Sequence, residues 1–197
     1  MAVSKRQPPE VVAAAADCGI RFFGENKVQE AVAKIPLCPE GLEWHLIGHL
    51  QANKVRPAVQ GFSMIHSVDS VSLLERIDRI AAEEGKTMPI LIQVNVSGEV
   101  AKSGIPPEAA PDLLQASTQC MNVDLLGLMT MPPFTPDPAD AAPVFRELRD
   151  LRDIWRHQFG IPLDELSMGM SHDFEVAIEA GSTWIRVGTA LLGERKR

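Results

Sequence analysis

Four side chains stand where turn chemistry alone explains them poorly: Lys5, His49, His66 and Arg186. Each closes or follows a short apolar or β-branched run and opens into a polar loop. Lys5 follows Ala2-Val3-Ser4 and precedes a loop with two prolines. A lysine held partly out of water has a lowered pKa and forms a Schiff base with a carbonyl, whereas a solvated strand-end lysine does nothing of the kind. The residue types alone leave both readings open. Two further segments carry glycine between hydroxyl-bearing residues, Ser167-Met168-Gly169-Met170-Ser171 and Arg186-Val187-Gly188-Thr189. Glycine admits close approach of a ligand to the backbone, and Ser171 and Thr189 offer hydroxyls and N–H groups at the starts of helices, a setting that suits phosphate. Ser171 reads equally well as a plain N-cap. His45 and His49 lie four residues apart, but their segment reads as strand, Gly48 breaks it, and no cysteine or carboxylate cluster joins them, so no metal site is expected.

The elements that must position these residues alternate. Strand signals fall at residues 2–4, 20–23, 43–47, 63–66, 89–96, 123–129, 163–167 and 183–187. Helical patterns follow at 11–18, 25–34, 51–59, 70–84, 107–120, 138–157 and 173–180, and Thr189 begins one more turn. The stretch after Ser70 is strongly amphipathic, and Gly85 follows its end. Eight strand-then-helix units imply a parallel sheet with helical crossovers. They predict an α/β fold, a closed (β/α)8 TIM barrel, although an open doubly wound sheet has similar local signals. Such barrels typically take about 250 residues, and this chain of 197 residues forms a single domain over 1–197 on this reading. It starts inside its first strand, which suggests a shortened N-terminus.

Barrel enzymes and binding proteins keep their sites at the C-terminal ends of the strands, with phosphate commonly held after strands seven and eight. Lys5 after the first strand then faces the Ser171 and Gly188-Thr189 loops across the barrel mouth. A small phosphate-bearing aldehyde would satisfy both walls, and pyridoxal 5′-phosphate is the natural candidate.

The composition narrows the class. A formal net charge of −7 argues against a nucleic-acid partner. The longest apolar runs, such as 88–91 and 125–131, fall far short of the roughly 18 residues that span a bilayer. Neither a membrane partner nor a secretory leader is expected, which predicts a cytoplasmic protein. Cys18, Cys38 and Cys120 are odd in number and widely spaced, as reduced thiols are.

The chain resembles the pyridoxal phosphate homeostasis proteins, single-domain relatives of the alanine racemase barrel. The resemblance rests on Ala2-Val3-Ser4-Lys5, Phe23-Gly24-Glu25-Asn26 with Val28-Gln29-Glu30, Trp44-His45-Leu46-Ile47-Gly48-His49-Leu50-Gln51 with Asn53-Lys54, and Ile65-His66-Ser67-Val68-Asp69-Ser70. It continues through Gln93-Val94-Asn95, Lys102-Ser103-Gly104, Gly127-Leu128-Met129-Thr130-Met131, Leu166 to Ser171 with Asp173-Phe174, and Ile185 to Thr189. It implies that Lys5 carries pyridoxal phosphate as a Schiff base and that Ser171, Gly188 and Thr189 hold the phosphate. It places Arg186 by the pyridine nitrogen and lines the pocket with Asn26 and Met168. His49 and His66 belong to the motifs without an assigned role.

The same resemblance implies a cofactor-binding protein that keeps vitamin B6 and amino and keto acids in balance, with apo-enzymes as recipients of the cofactor and no established catalysis. The absence of an extra domain or seam favours a monomer. A weak pyridoxal-phosphate-dependent amino-acid racemase is the alternative. Against it, the related racemases use a tyrosine as second base, and this sequence contains no tyrosine. Family members also carry a helix before the lysine motif, and its lack here would expose apolar barrel surface.

Overall fold

A computed structural model describes residues 1–99 and 103–193. Lys102 of the Lys102-Ser103-Gly104 motif lies outside the described residues. Among the described residues, eight strands form one sheet: β1 (Ala2–Val3), β2 (Phe22–Glu25), β3 (Glu43–Leu46), β4 (Met64–Val68), β5 (Met88–Gln93), β6 (Val123–Met129), β7 (Glu165–Met170) and β8 (Trp184–Arg186). Their order in space is their order in sequence, β1 through β8, and every neighbouring pair is parallel. The ring closes between the chain's two ends. Ala2 bridges Val187, Val3 N–H donates to Val187 O at 2.8 Å, and Val187 N–H donates to Met1 O at 3.1 Å. The expected (β/α)8 barrel is thus the observed one.

The crossover helices are α1 (Pro9–Asp17), α2 (Val28–Lys34), α3 (Val55–Gly61), α4 (Val71–Glu83), α5 (Ala110–Ser117), α6 (Ala142–Phe159), α7 (Phe174–Glu179) and α8 (Thr189–Leu192). Local chemistry sets their ends. Pro9 opens α1, where a missing N–H costs nothing. The Ser70 hydroxyl accepts from Leu73 N–H at 3.4 Å and caps α4. Gly160 ends α6 with φ 66, a left-handed value glycine adopts freely. The buried stripe of α4 is Leu73, Leu74, Ile77, Ile80 and Ala81, the face its periodicity marks. Among the described residues no helix is long and apolar enough to cross a membrane.

Several boundaries differ from the sequence expectation, for physical reasons. The second helix starts at Val28, because Glu25 still extends β2: it pairs with Leu46, and its carbonyl accepts from Ile47 N–H at 2.9 Å. β4 runs on to Val68 through an irregularity between Ile65 and Val68 that re-registers it on β5. The sixth helix breaks in two, a 3-10 turn at Pro138–Ala141 and then α6, because the Asp137 carboxylate takes the Ala139 N–H at 2.9 Å.

Strand alternation divides the core. Residues such as Phe23, Leu46, Ile65, Ile90, Ile92, Leu128 and Leu166 join the large apolar cluster between sheet and helices. Met64, Leu91 and Met129 form a separate small cluster on the opposite face of their strands, inside the ring. The same inward face carries His45, His66, Ser167 and Arg186, all buried. β6 and β7 close tightly where Gly127 pairs with Glu165: a Cβ on Gly127 would lie 1.8 Å from Glu165 O. Gly127→Ala should therefore part these strands at a cost of about 1–3 kcal/mol and lower the thermal midpoint by several degrees. An unchanged midpoint would show that the strands separate there without penalty.

Candidate functional site

At the C-terminal ends of the strands a cavity of about 250 Å³ opens into the ring. Its walls combine residues from the chain's beginning, Val3, Lys5 and Asn26, with residues from its end, Met170, Ser171, His172, Arg186, Gly188 and Thr189. Ile47, Met131 and Phe134 complete the wall. Barrel closure between β1 and β8 is what brings Lys5 beside residues more than 160 positions away. A larger cleft of about 600 Å³ lies beside the ends of β3 and β4 and contains His49, Asp69 and Arg76. Neither Lys5 nor Arg186 lines it, so the smaller cavity is the chemically equipped one.

Arg186 forms the cavity floor and is 3% exposed. Its guanidinium donates to Ser167 Oγ at 2.8 Å and to Thr130 O at 2.9 Å. Ser167 Oγ lies 2.9 Å from His66 Nδ1, and His66 Nε2 lies 3.0 Å from His45 Nδ1. Arginine only donates, so Ser167 Oγ accepts from Arg186. The Ser167–His66 and His66–His45 contacts each take one proton, supplied by whichever atom of the pair carries it. Trp184 packs against His45 with ring centres 5.0 Å apart, closing the chain off from water.

Burial sets the ionisation. It pushes His45 down to about 4, with the N-terminal ammonium adding to the effect. Burial, then the neighbouring His45, Arg186 and the N-terminus, hold His66 well below the usual histidine range. Burial also lowers Arg186 to about 10, with Asp173 pulling the other way, so the guanidinium stays charged at neutral pH.

At the ends of β7 and β8 two N–H groups converge on one hydroxyl. Ser171 Oγ accepts from Gly188 N–H at 3.1 Å and from Ala190 N–H at 3.4 Å. It does not cap α7: Asp173 precedes that helix, and its carboxylate takes Met170 N–H at 2.6 Å. Asn26 sits at the end of β2 with a side-chain oxygen that is buried and has no partner. Its backbone is pressed against Gly48, where a Cβ would lie 2.2 Å from Asn26 O.

Of the residues expected at the site, Lys5, Asn26, Ser171, Arg186, Gly188 and Thr189 share the cavity wall. Met168 does not line it. Ser167 turns inward, so Met168 faces the helices, fully buried in the main core, and Met170 takes the place on the wall. His66 lies beneath the floor, and His49 lies half-exposed 3.7 Å from Asp69. Among the described residues no group of three or more potential ligands could hold a metal, and His45 and His49 do not converge. Sequence reasoning missed Ser167 and Thr130 as partners of Arg186 and His45 as the end of the relay. Period-two alternation with Arg186 was the available signal.

The depressed histidines carry a sign for stability. On acidification from pH 6.5 toward 4 the unfolded chain takes up a proton that folded His45 refuses, so stability present near neutrality is lost across that window. The loss is on the order of 3 kcal/mol at roughly 1.4 kcal/mol per pKa unit. His45→Gln removes that proton and should flatten this part of the melting-temperature profile. Parallel profiles for the two proteins would show that His45 is not the source.

Comparison with known proteins agrees with this architecture. The alanine racemase N-terminal domain family matches residues 1–196. The pyridoxal phosphate homeostasis protein of Aquifex aeolicus is 45% identical over 197 residues, spanning 100% of this chain and 86% of its own. The human protein of the same name is 39% identical over 209 residues, spanning 99% of this chain and 76% of its own. Among solved structures, PipY of Synechococcus elongatus without pyridoxal phosphate superposes with a TM-score of 0.93 at 42% identity, covering 98% of this chain and 91% of that one. The same protein with pyridoxal phosphate bound superposes with a TM-score of 0.90 at 41% identity, with the same coverage. Alanine racemase of Clostridium difficile, at 13% identity and a TM-score of 0.79, shares the fold. The chain belongs to the alanine racemase N-terminal domain family, in the group of pyridoxal phosphate homeostasis proteins.

Proposed function

We propose that this protein binds pyridoxal 5′-phosphate in the strand-end cavity, through a Schiff base to Lys5, and keeps that cofactor and amino and keto acids in balance. One observation carries the reading: Lys5 shares one cavity wall with Ser171, Gly188 and Thr189, in a chain 41% identical to a relative whose structure has pyridoxal phosphate bound. The residues fit the group. The Ser171 hydroxyl and the Gly188-Thr189 backbone on the cavity wall suit a phosphate dianion. The Asn26 side-chain oxygen is buried and lacks a donor, an acceptor left for a bound group.

When bound, the cofactor would supply an aldehyde for the lysine and an electron-withdrawing ring. The chain's own residues restrict the chemistry open to it. Arg186 is held by Ser167 and Thr130 and only donates, so it would donate to a ring nitrogen placed beside it and disfavour that nitrogen's protonation. An unprotonated ring draws electrons weakly. This sequence offers no tyrosine as a second proton-transfer base. Both features favour holding the cofactor over turning over amino acids. A cytoplasmic monomer that passes the cofactor to apo-enzymes accords with this reading.

The test is an absorbance spectrum of the protein with added pyridoxal 5′-phosphate. The expected result is a visible band that borohydride bleaches and that Lys5→Ala lacks. A band that survives in Lys5→Ala, or none in the folded wild type, would contradict attachment at Lys5.

A further inference from the structure

Glu25, Glu30 and Lys34 are not on the cavity wall, yet two of them are among the most buried charges in the molecule, 0% exposed for Glu25 and 7% for Lys34. We propose that these three residues form an ion cluster that positions Lys5, aiming its side chain into the cavity from behind the strand end. The inference rests on the reading that Lys5 carries the cofactor.

The backbone on both sides of Lys5 is tied to this cluster. Lys34 Nζ donates to Ser4 O at 2.8 Å, to Glu25 Oε1 at 2.8 Å and to Glu30 Oε1 at 3.1 Å, using all three of its protons. The Ser4 hydroxyl donates to Glu25 Oε1 at 2.7 Å. On the far side of Lys5, the Arg6 N–H donates to Glu30 Oε1. Two further bonds close the turn: Ser4 N–H to Gly24 O at 3.1 Å and Gln7 N–H to Ser4 O at 2.9 Å. Lys5 is thus the second residue of a tight turn whose third residue, Arg6, has φ 60. That left-handed position ordinarily goes to glycine or asparagine. A side-chain cluster holds it in place here.

Stability alone explains the cluster poorly. Burying charges costs desolvation that the attraction between them often fails to recover. Glu25 Oε2 is buried with no partner, and burial pushes the Glu25 carboxyl up despite Lys34 beside it. An apolar packing of the same space would avoid both penalties. What it would not do is grip Ser4 O and Arg6 N–H at once. A lysine on a flexible stem is a poor covalent anchor unless its Cα is fixed, since misplacement by about 1 Å already costs a reacting group much of its advantage.

The test separates aim from fold with two ligands. Pyridoxal 5′-phosphate can bond to Lys5, whereas pyridoxine 5′-phosphate has an alcohol in place of the aldehyde and reports only on the rest of the site. Lys34→Met and Glu30→Ala should trap pyridoxal phosphate on Lys5 with borohydride roughly tenfold more slowly than wild type. They should bind pyridoxine phosphate within about twofold of wild type. Glu30→Gln, which keeps an oxygen for the Arg6 N–H, should recover most of the trapping rate. If Lys34→Met does not fold, Glu30→Ala carries the test, because the Lys34–Glu25 pair remains. Wild-type trapping rates in the foldable variants would overturn the proposal, as would equal weakening of both ligands. Wild-type protein that leaves Lys5 unmodified would overturn the binding reading as well, and so tells the two failures apart.

Discussion

A guanidinium sits at the centre of this barrel and its hydrogen bonds go to neutral oxygens, Ser167 Oγ and Thr130 O. A buried charge so placed is tolerable only if every neighbour is oriented to receive it. Ser167 Oγ accepts from Arg186 and bonds to His66, which bonds in turn to His45. Side chains from four strands thus form one continuous hydrogen-bonded chain inside the ring, ending beneath the cavity, where Arg186 presents its charge as a donor. Any ligand on this floor meets a fixed positive group that accepts no proton.

Ring closure is the second constraint. Lys5 and Arg186 share one cavity because β1 is held on one side by β2 and on the other by Val187. The opening strand is only two residues long, and the turn after it is held by side chains from α2 and the end of β2. The cofactor wall therefore draws rigidity from outside the ring at Lys5 and from inside it at Arg186. Gly48 completes the arrangement by letting the Asn26 backbone press against the next strand end.

Much of this was legible in the sequence. Alternation of apolar runs and helical patterns marked eight units, and strand-end polar residues marked six of the residues that line the cavity. What escaped was set by tertiary contact. The family resemblance puts Met168 on the cavity wall, but the inward turn of Ser167 sends it to the helix layer. Ser171 reads as a helix cap, yet its hydroxyl reaches across to Gly188 and Ala190. Lys34 draws no notice in the sequence, because nothing local shows that Ser4 O and two carboxylates surround it. His45 stands out by its spacing from His49, but its actual partner, His66, is set by the pairing of β3 with β4.

The central claim is that one lysine, placed by the barrel's first strand end, receives the cofactor. Peptide mapping by mass spectrometry after borohydride reduction with pyridoxal 5′-phosphate tests it most directly. The account predicts a single stoichiometric adduct on the peptide containing Lys5, formed at low cofactor excess. An adduct spread over surface lysines such as Lys27, Lys54 and Lys86, with Lys5 unmodified, would contradict it.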